Sequence, residues 1–135
     1  MPNSAERVPT GRLWLLALAA AGIAAVVNLL IWLLAGMINI PLNVQMGGPE
    51  APVVPLSAGP VIVMSVVPAI AGAALLWLLG RVTARPFRWF TIIAVVVLLL
   101  SLAGPLLLPV ALANKLVLSL MHVVAAGVIV GILRK

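Results

Sequence analysis

Hydrophobic residues fall into four long runs along the chain, separated by short polar or proline-rich segments. The runs cover 13–38, 58–80, 89–108 and 113–133, and each supplies the ~20 apolar residues needed to cross a hydrocarbon core of ~30 Å. Because backbone polar groups find no water in that core, each run is predicted to form an α-helix. The pattern therefore predicts an all-α fold, a four-transmembrane-helix bundle forming one integral membrane domain over 1–135.

The first run also has the basic flank and small residues found in secretory signal peptides. The apolar region of a signal peptide is only about 7–15 residues long, whereas this run continues to Ile38. We therefore expect the run to be retained as the first helix of the bundle.

Composition supports lipid as the surrounding solvent. The chain is 65% hydrophobic and 7% charged, with a mean hydropathy of +1.36, whereas soluble domains are about half apolar and a quarter charged. The sequence contains no cysteine, which excludes disulfides and thiolate chemistry. The net charge of +6 comes from residues at the ends of the apolar runs, so the lipid bilayer is expected as a partner and nucleic acid is not.

The basic residues predict the orientation of the bundle. Seven of the eight lie on one side of the four predicted helices, and only Lys115 lies on the other. Because cytoplasmic loops are enriched in lysine and arginine, both termini are predicted to be cytoplasmic. The seven are Arg7, Arg12, the predicted cytoplasmic cluster of Arg81, Arg85 and Arg88, and Arg134 and Lys135.

Prolines mark the irregular parts of the chain. In the outer loop, 39–57, two β-compatible runs, "PLNVQM" and "APVVPL", flank the turn-like "GGPE". Pro41, Pro52 and Pro55 cannot donate ladder hydrogen bonds, so a small β-hairpin and an ordered proline-rich loop are both left open. Pro68 lies in the middle of the second helix, where the loss of one backbone hydrogen bond predicts a kink.

Five polar residues lie at similar depths within the predicted spans. At 1.5 Å per residue, Asn28, Ser65, Ser101 and Ser119 lie about 10–12 Å below the outer ends of their helices, and His122 is one turn deeper. Serine and asparagine in membrane helices commonly hydrogen-bond across helices for roughly 0.6–2 kcal/mol without any further activity. This intramembrane layer is therefore interpreted first as a packing device.

His122 is the only histidine in the chain. Ionisable residues within membranes are costly and are often functional, so a structural hydrogen bond and a ligand or proton site are both left open. Catalysis by serine and histidine needs a third, orienting group, and zinc needs three or four ligands. The spans contain no carboxylate, so neither a catalytic residue nor a metal site is predicted. A haem or pigment needs a single axial histidine, which His122 can supply.

Two segments carry a resemblance to a known family. "SLAGPLL", 101–107, followed by "NKLVLSLMHVVAAGVIV", 114–130, resembles a family of small bacterial four-helix membrane proteins classed as a domain of unknown function. The resemblance implies the four-helix architecture and a location in the bacterial cytoplasmic (inner) membrane, but it brings no known activity. Its motif positions are Ser101, Gly104, Pro105, Lys115 and His122.

Three hypotheses for the function follow. The leading one is a non-enzymatic accessory or assembly subunit that packs against other membrane protein subunits or against itself, because the chain is small and has no catalytic constellation. The second is a small-molecule or proton carrier or channel, with Lys115 at the outer entrance and a path past Ser119 to His122. The third is a haem- or pigment-binding protein with His122 as axial ligand, although no cofactor is required. An enzyme is not expected.

Overall fold

The computed structural model describes residues 5–135 and confirms the four-helix membrane architecture. Within that range, four helical segments are long and apolar enough to cross a membrane, and the third of them consists of two consecutive helices. The elements in chain order are α1 (Thr10–Met37), β1 (Asn43–Gln45), β2 (Val53–Pro55), α2 (Ala58–Val82), α3 (Pro86–Ser101), α4 (Ala103–Leu107) and α5 (Leu112–Leu133).

The third span differs from the sequence prediction, which is a single helix over 89–108. It begins earlier, at Pro86, and it is interrupted at Leu102. The backbone of Leu102 keeps near-helical φ and ψ angles of −66° and −21°, so α4 continues from α3. Pro105 has no N–H to donate to the Ser101 carbonyl, and this missing bond accounts for the interruption.

Small residues bring α1 and α2 close together. The face of α1 that is buried in the bundle consists largely of alanines, and α2 presents Ser65, Ala69 and Ala73 to the interior. Small side chains allow two helix backbones to approach closely, which strengthens van der Waals packing within a membrane. Helix α5 packs on α1 as well, whereas α3 packs on α2 and α5 and lies on the opposite side of them from α1.

The outer loop forms the small β-hairpin rather than an irregular loop. Strands β1 and β2 are antiparallel, with Val44 opposite Val54. The turn between them uses Gly47 and Gly48, whose φ angles of 103° and 105° are disfavoured for residues with a side chain.

Two long-range hydrogen bonds hold this hairpin against the helices. Trp32 of α1 donates from Nε1 to the Leu56 carbonyl at 2.9 Å. Asn114 of α5 donates from Nδ2 to the Asn43 carbonyl at 3.2 Å. The hairpin therefore covers one end of the bundle, which we call the hairpin end.

The opposite end of the bundle, the basic end, holds both ends of the described chain and the α2–α3 connection. The Glu6 carboxylate accepts a hydrogen bond from the Phe87 N–H at 3.0 Å, and the Glu6 N–H donates to the Ala84 carbonyl at 3.1 Å. At this end the Arg81 guanidinium lies 3.8 Å from the ring centroid of Trp77. The structure thus places both ends of the described chain, residues 5 and 135, at one end of the bundle. The assignment of that end to the cytoplasm remains a prediction from charge.

Cysteine labelling tests this orientation directly, because the chain has no cysteine of its own. We expect E50C, at the exposed hairpin turn, to react with a membrane-impermeant maleimide added to intact cells. We expect K135C, at the basic end, to react only after the membrane is permeabilised. Labelling of K135C but not E50C in intact cells would reverse the predicted orientation.

Candidate functional site

A cavity of about 710 Å³ lies between α2, α3 and α5. Ligand-binding pockets commonly have volumes of ~300–1,000 Å³. The cavity is bordered by Val44 of the hairpin at one end and by Phe90 and Ile129 towards the basic end. Along α2 its lining extends from Pro60 to Leu75, which corresponds to ~22 Å at 1.5 Å per residue. The cavity therefore follows the bundle axis through much of the predicted hydrocarbon core.

The lining of this cavity is apolar except for a few uncharged polar groups. Among residues 5–135, the side chains with hydrogen-bonding groups in the lining are those of Asn28, Gln45, Ser101 and His122. No lysine, arginine, aspartate or glutamate of the described chain contributes to it. An apolar cavity with a few placed polar groups suits an uncharged ligand with a small polar head.

Asn28 enters the cavity wall from α1, and its amide is oriented by Ser65. The Ser65 hydroxyl lies 2.8 Å from the Val61 carbonyl, which can only accept, so the hydroxyl proton is used there. Ser65 must then accept from Asn28, whose Nδ2 lies 3.0 Å from Ser65 Oγ. The Asn28 Oδ1 atom is consequently left as a buried acceptor, and it has no partner among the described residues.

His122 is half-buried on α5 and is held by its own helix. Its Nδ1 atom lies 2.8 Å from the Leu118 carbonyl one turn earlier. Because that carbonyl can only accept, Nδ1 must carry a proton in this bond. In the neutral imidazole, Nε2 is then the acceptor that this bond leaves unused, on a residue of the cavity lining.

Asn28 and His122 lie at closely similar depths. Asn28 is nine residues before the end of α1 at Met37, and His122 is ten residues after the start of α5 at Leu112. At 1.5 Å per residue these positions are ~13 and ~15 Å from the hairpin end of their helices. Both therefore belong to the same layer of the cavity.

The other polar residues singled out from the sequence have different surroundings. Ser101 is in the cavity lining and donates to the Leu98 carbonyl at 2.7 Å. The Ser119 hydroxyl is buried, makes no hydrogen bond within the described chain, and is not part of the lining. Lys115 is half-buried in the first turn of α5 and is likewise outside the lining. The arginines at 81, 85 and 88 are exposed at the basic end.

Two further residues of the family-like motif and the proline predicted to kink α2 also border the cavity. Gly104 and Pro105 of α4 line it near the hairpin end, and Pro68 lines it from within α2, which continues through this proline. Pro68 cannot donate to the carbonyl of Met64, which is another lining residue. The carbonyl of Met64, a residue of the cavity lining, thus lacks its usual helical donor.

Two residues of this region were not singled out from the sequence. Gln45 lies in the outer loop, and only the formation of β1 brings it to the end of the cavity. Asn114 is buried at the start of α5 and holds the hairpin through Asn43. A polar amide in the first turn of an apolar span was the available signal for Asn114, whereas no sequence signal identifies Gln45.

The described residues form no group of three or more histidine, cysteine, aspartate or glutamate side chains that could hold a metal ion. The Nε2 atom of His122 is one metal-coordinating nitrogen. Only a metal-containing group that needs a single axial ligand from the protein could therefore bind through it. The arrangement is better suited to hydrogen bonding of an organic ligand than to coordination of a metal.

Comparison with protein families supports the resemblance seen in the two motif segments. Residues 8–135 match a family of unknown function, DUF6069. The chain belongs to this family. The DUF6069 match covers every residue of the cavity lining, as well as the hairpin and all four spans. Neither the curated proteins nor the solved structures that were compared contain a significant match to the chain.

Removal of the Ser65 hydroxyl tests the Asn28–Ser65 bond. We expect Ser65→Ala to lower the free energy of unfolding by about 1–2 kcal/mol, because the buried Asn28 Nδ2 loses its acceptor. The double variant N28L/S65A should recover part of that loss, because it removes both polar partners. Unfolding followed by tryptophan fluorescence in mixed detergent micelles measures these values.

Ser101→Ala is the matched control, since the Ser101 hydroxyl bonds only to a carbonyl of its own helix. It removes the same atom without leaving a polar partner on another helix. Equal losses in Ser65→Ala and Ser101→Ala would contradict a stabilising bond between α1 and α2.

Proposed function

We propose that this DUF6069 protein binds a small, uncharged and largely apolar molecule in the cavity between α2, α3 and α5, as a membrane carrier or receptor. The cavity carries the proposal: its volume is about 710 Å³ and its described lining contains no charged side chain. A ligand there is surrounded by apolar side chains and meets a polar layer near the middle of the membrane. The protein itself is expected in the bacterial cytoplasmic membrane, with both of its termini in the cytoplasm.

The loose packing of α3 gives such a molecule a route from the lipid. Only 11% of the most apolar stretch of the third span is buried, against 28–33% in the other three. Its buried residues are Pro86 and Phe90 at the basic end and Pro105 in α4. The intervening part of α3 can therefore move away from α2 and α5 with little loss of buried contact.

The other hypotheses have less support. A proton or ion path needs a series of ionisable or hydrated groups. His122 is the one ionisable side chain in the described lining, and Lys115 and Ser119 of the predicted path lie outside it. An accessory role in a larger complex stays a prediction, because lipid is sufficient to cover the apolar side chains on the outside of the bundle. Haem binding through His122 would appear as visible absorption of the protein purified from its native membrane.

Filling the cavity tests the proposal. We expect wild-type protein in lipid nanodiscs to bind radiolabelled farnesyl methyl ether above the level of empty nanodiscs. Ala94→Phe adds an aromatic ring at a lining position of α3 and should weaken that binding at least tenfold. Scintillation proximity measurements on the immobilised protein give the affinities.

Ala74→Phe is the matched control, because Ala74 is exposed on α2 and is not part of the lining. It makes the same change in volume at a position that faces outwards, so binding should stay at the wild-type level. Absence of ether binding to the wild type, or equal binding by both variants, would refute the proposed cavity site.

A further inference from the structure

The polar side chains at the hairpin end of the cavity use their hydrogen-bond donors within the protein. Gln45 donates from Nε2 to the Pro49 and Ala51 carbonyls at 2.8 and 2.7 Å. Ser101 donates its hydroxyl proton to the Leu98 carbonyl at 2.7 Å. Both residues are left with acceptor atoms, the amide oxygen of Gln45 and the hydroxyl lone pairs of Ser101.

His122 and Asn28 follow the same rule deeper in the cavity. The Nδ1–H of His122 is engaged by the Leu118 carbonyl, which leaves the Nε2 lone pair. One Nδ2 proton of Asn28 is engaged by Ser65, and the Oδ1 atom has no partner among residues 5–135. The second Nδ2 proton of Asn28 is the remaining side-chain donor of this layer.

The backbone adds a further acceptor. Pro68 removes the N–H that would bond the Met64 carbonyl, and both residues line the cavity. Met64 lies six residues into α2, which places it about one turn closer to the hairpin end than Asn28 and His122. Acceptors therefore outnumber donors in the part of the cavity where a polar head would lie.

This imbalance identifies the chemistry of the ligand. We infer that the bound molecule is an apolar alcohol, in the broad sense that includes phenols and hydroquinones, whose hydroxyl donates to His122 Nε2. The inference rests on the proposed function. A ketone, ester or quinone of the same shape brings another acceptor, so the histidine lone pair would lose its water without gaining a donor.

His122 is preferred over Asn28 as the main acceptor because a ligand hydroxyl has better access to its side chain. The Asn28 side chain is 5% exposed and its Oδ1 is fully covered. His122 is half-buried, and its Nε2 is not among the buried atoms that lack a partner. A hydroxyl can therefore reach Nε2 without displacing α1.

Two probes that differ only in the replacement of the hydroxyl proton by a methyl group test the inference. Farnesol and farnesyl methyl ether share the same apolar chain, and the ether has no hydroxyl proton. We expect wild-type protein in nanodiscs to bind farnesol about tenfold more tightly than the ether, as measured by competition against the radiolabelled ether. His122→Phe should bring this ratio close to one while ether affinity is retained.

Two further variants separate hydrogen bonding from structure. His122→Gln, which keeps an acceptor oxygen, should retain a preference for farnesol of at least threefold. Ser119→Ala, which changes a polar residue of α5 outside the lining, should keep the full preference. His122→Phe could also lose ether binding because the helix has moved. In that case His122→Gln decides whether Nε2 acts as an acceptor, and loss of its preference for farnesol over the ether overturns the inference.

The outcomes also separate this inference from the proposed function. Equal binding of the two probes, or tighter binding of the ether, overturns the inference and leaves the cavity as a binding site. An unchanged preference in His122→Phe overturns the role of Nε2. Failure of the wild type to bind the ether, against which farnesol is measured, overturns both the inference and the proposed function.

Discussion

The close packing of α1 against α2 is the contact on which the rest of this bundle depends. Within a bilayer, burial from water does not drive helix association, so helices associate through close contact and hydrogen bonds. Alanines such as Ala21 and Ala24 on α1 and Ala69 on α2 permit that contact, and the Asn28–Ser65 bond joins the same two helices. Helix α5 packs on the other helices through larger side chains, and α3 is left at the periphery with a cavity behind it.

Much of the fold can be predicted from the sequence, because a membrane imposes few alternatives. Length and hydropathy identify the four spans, and the Gly-Gly turn at 47–48 favours the hairpin that the structure contains. The interruption at Leu102 could be predicted only as one of two outcomes, because a proline such as Pro105 near a helix end is compatible with both a bend and a simple stop. The contact of Glu6 with the start of α3 joins residues far apart in sequence, and no local pattern indicates it.

The candidate site could be predicted only as a set of residues at one depth. Asn28 and His122 do border one cavity, and Asn28 and Ser65 do form a bond. Ser119 lies on the same helix as His122 but outside the lining, because positions three residues apart are separated by about 60° around the helix axis. The cavity itself depends on how loosely α3 packs, which is a property of all the helices together. The direction of each hydrogen bond depends on which backbone carbonyl lies beside the side chain, such as that of Leu118 beside His122. Composition does not reveal these contacts.

The central claim is that the space between α2, α3 and α5 is a ligand site and not a gap in the packing. The most direct test is a cryo-electron microscopy structure of the protein purified from its native membrane in nanodiscs, bound to a rigid antibody fragment that provides mass. The claim predicts an elongated density along the cavity, with its polar end within hydrogen-bonding distance of His122 Nε2. A structure in which α3 has closed onto α2 and α5, with no space or density between them, would contradict it.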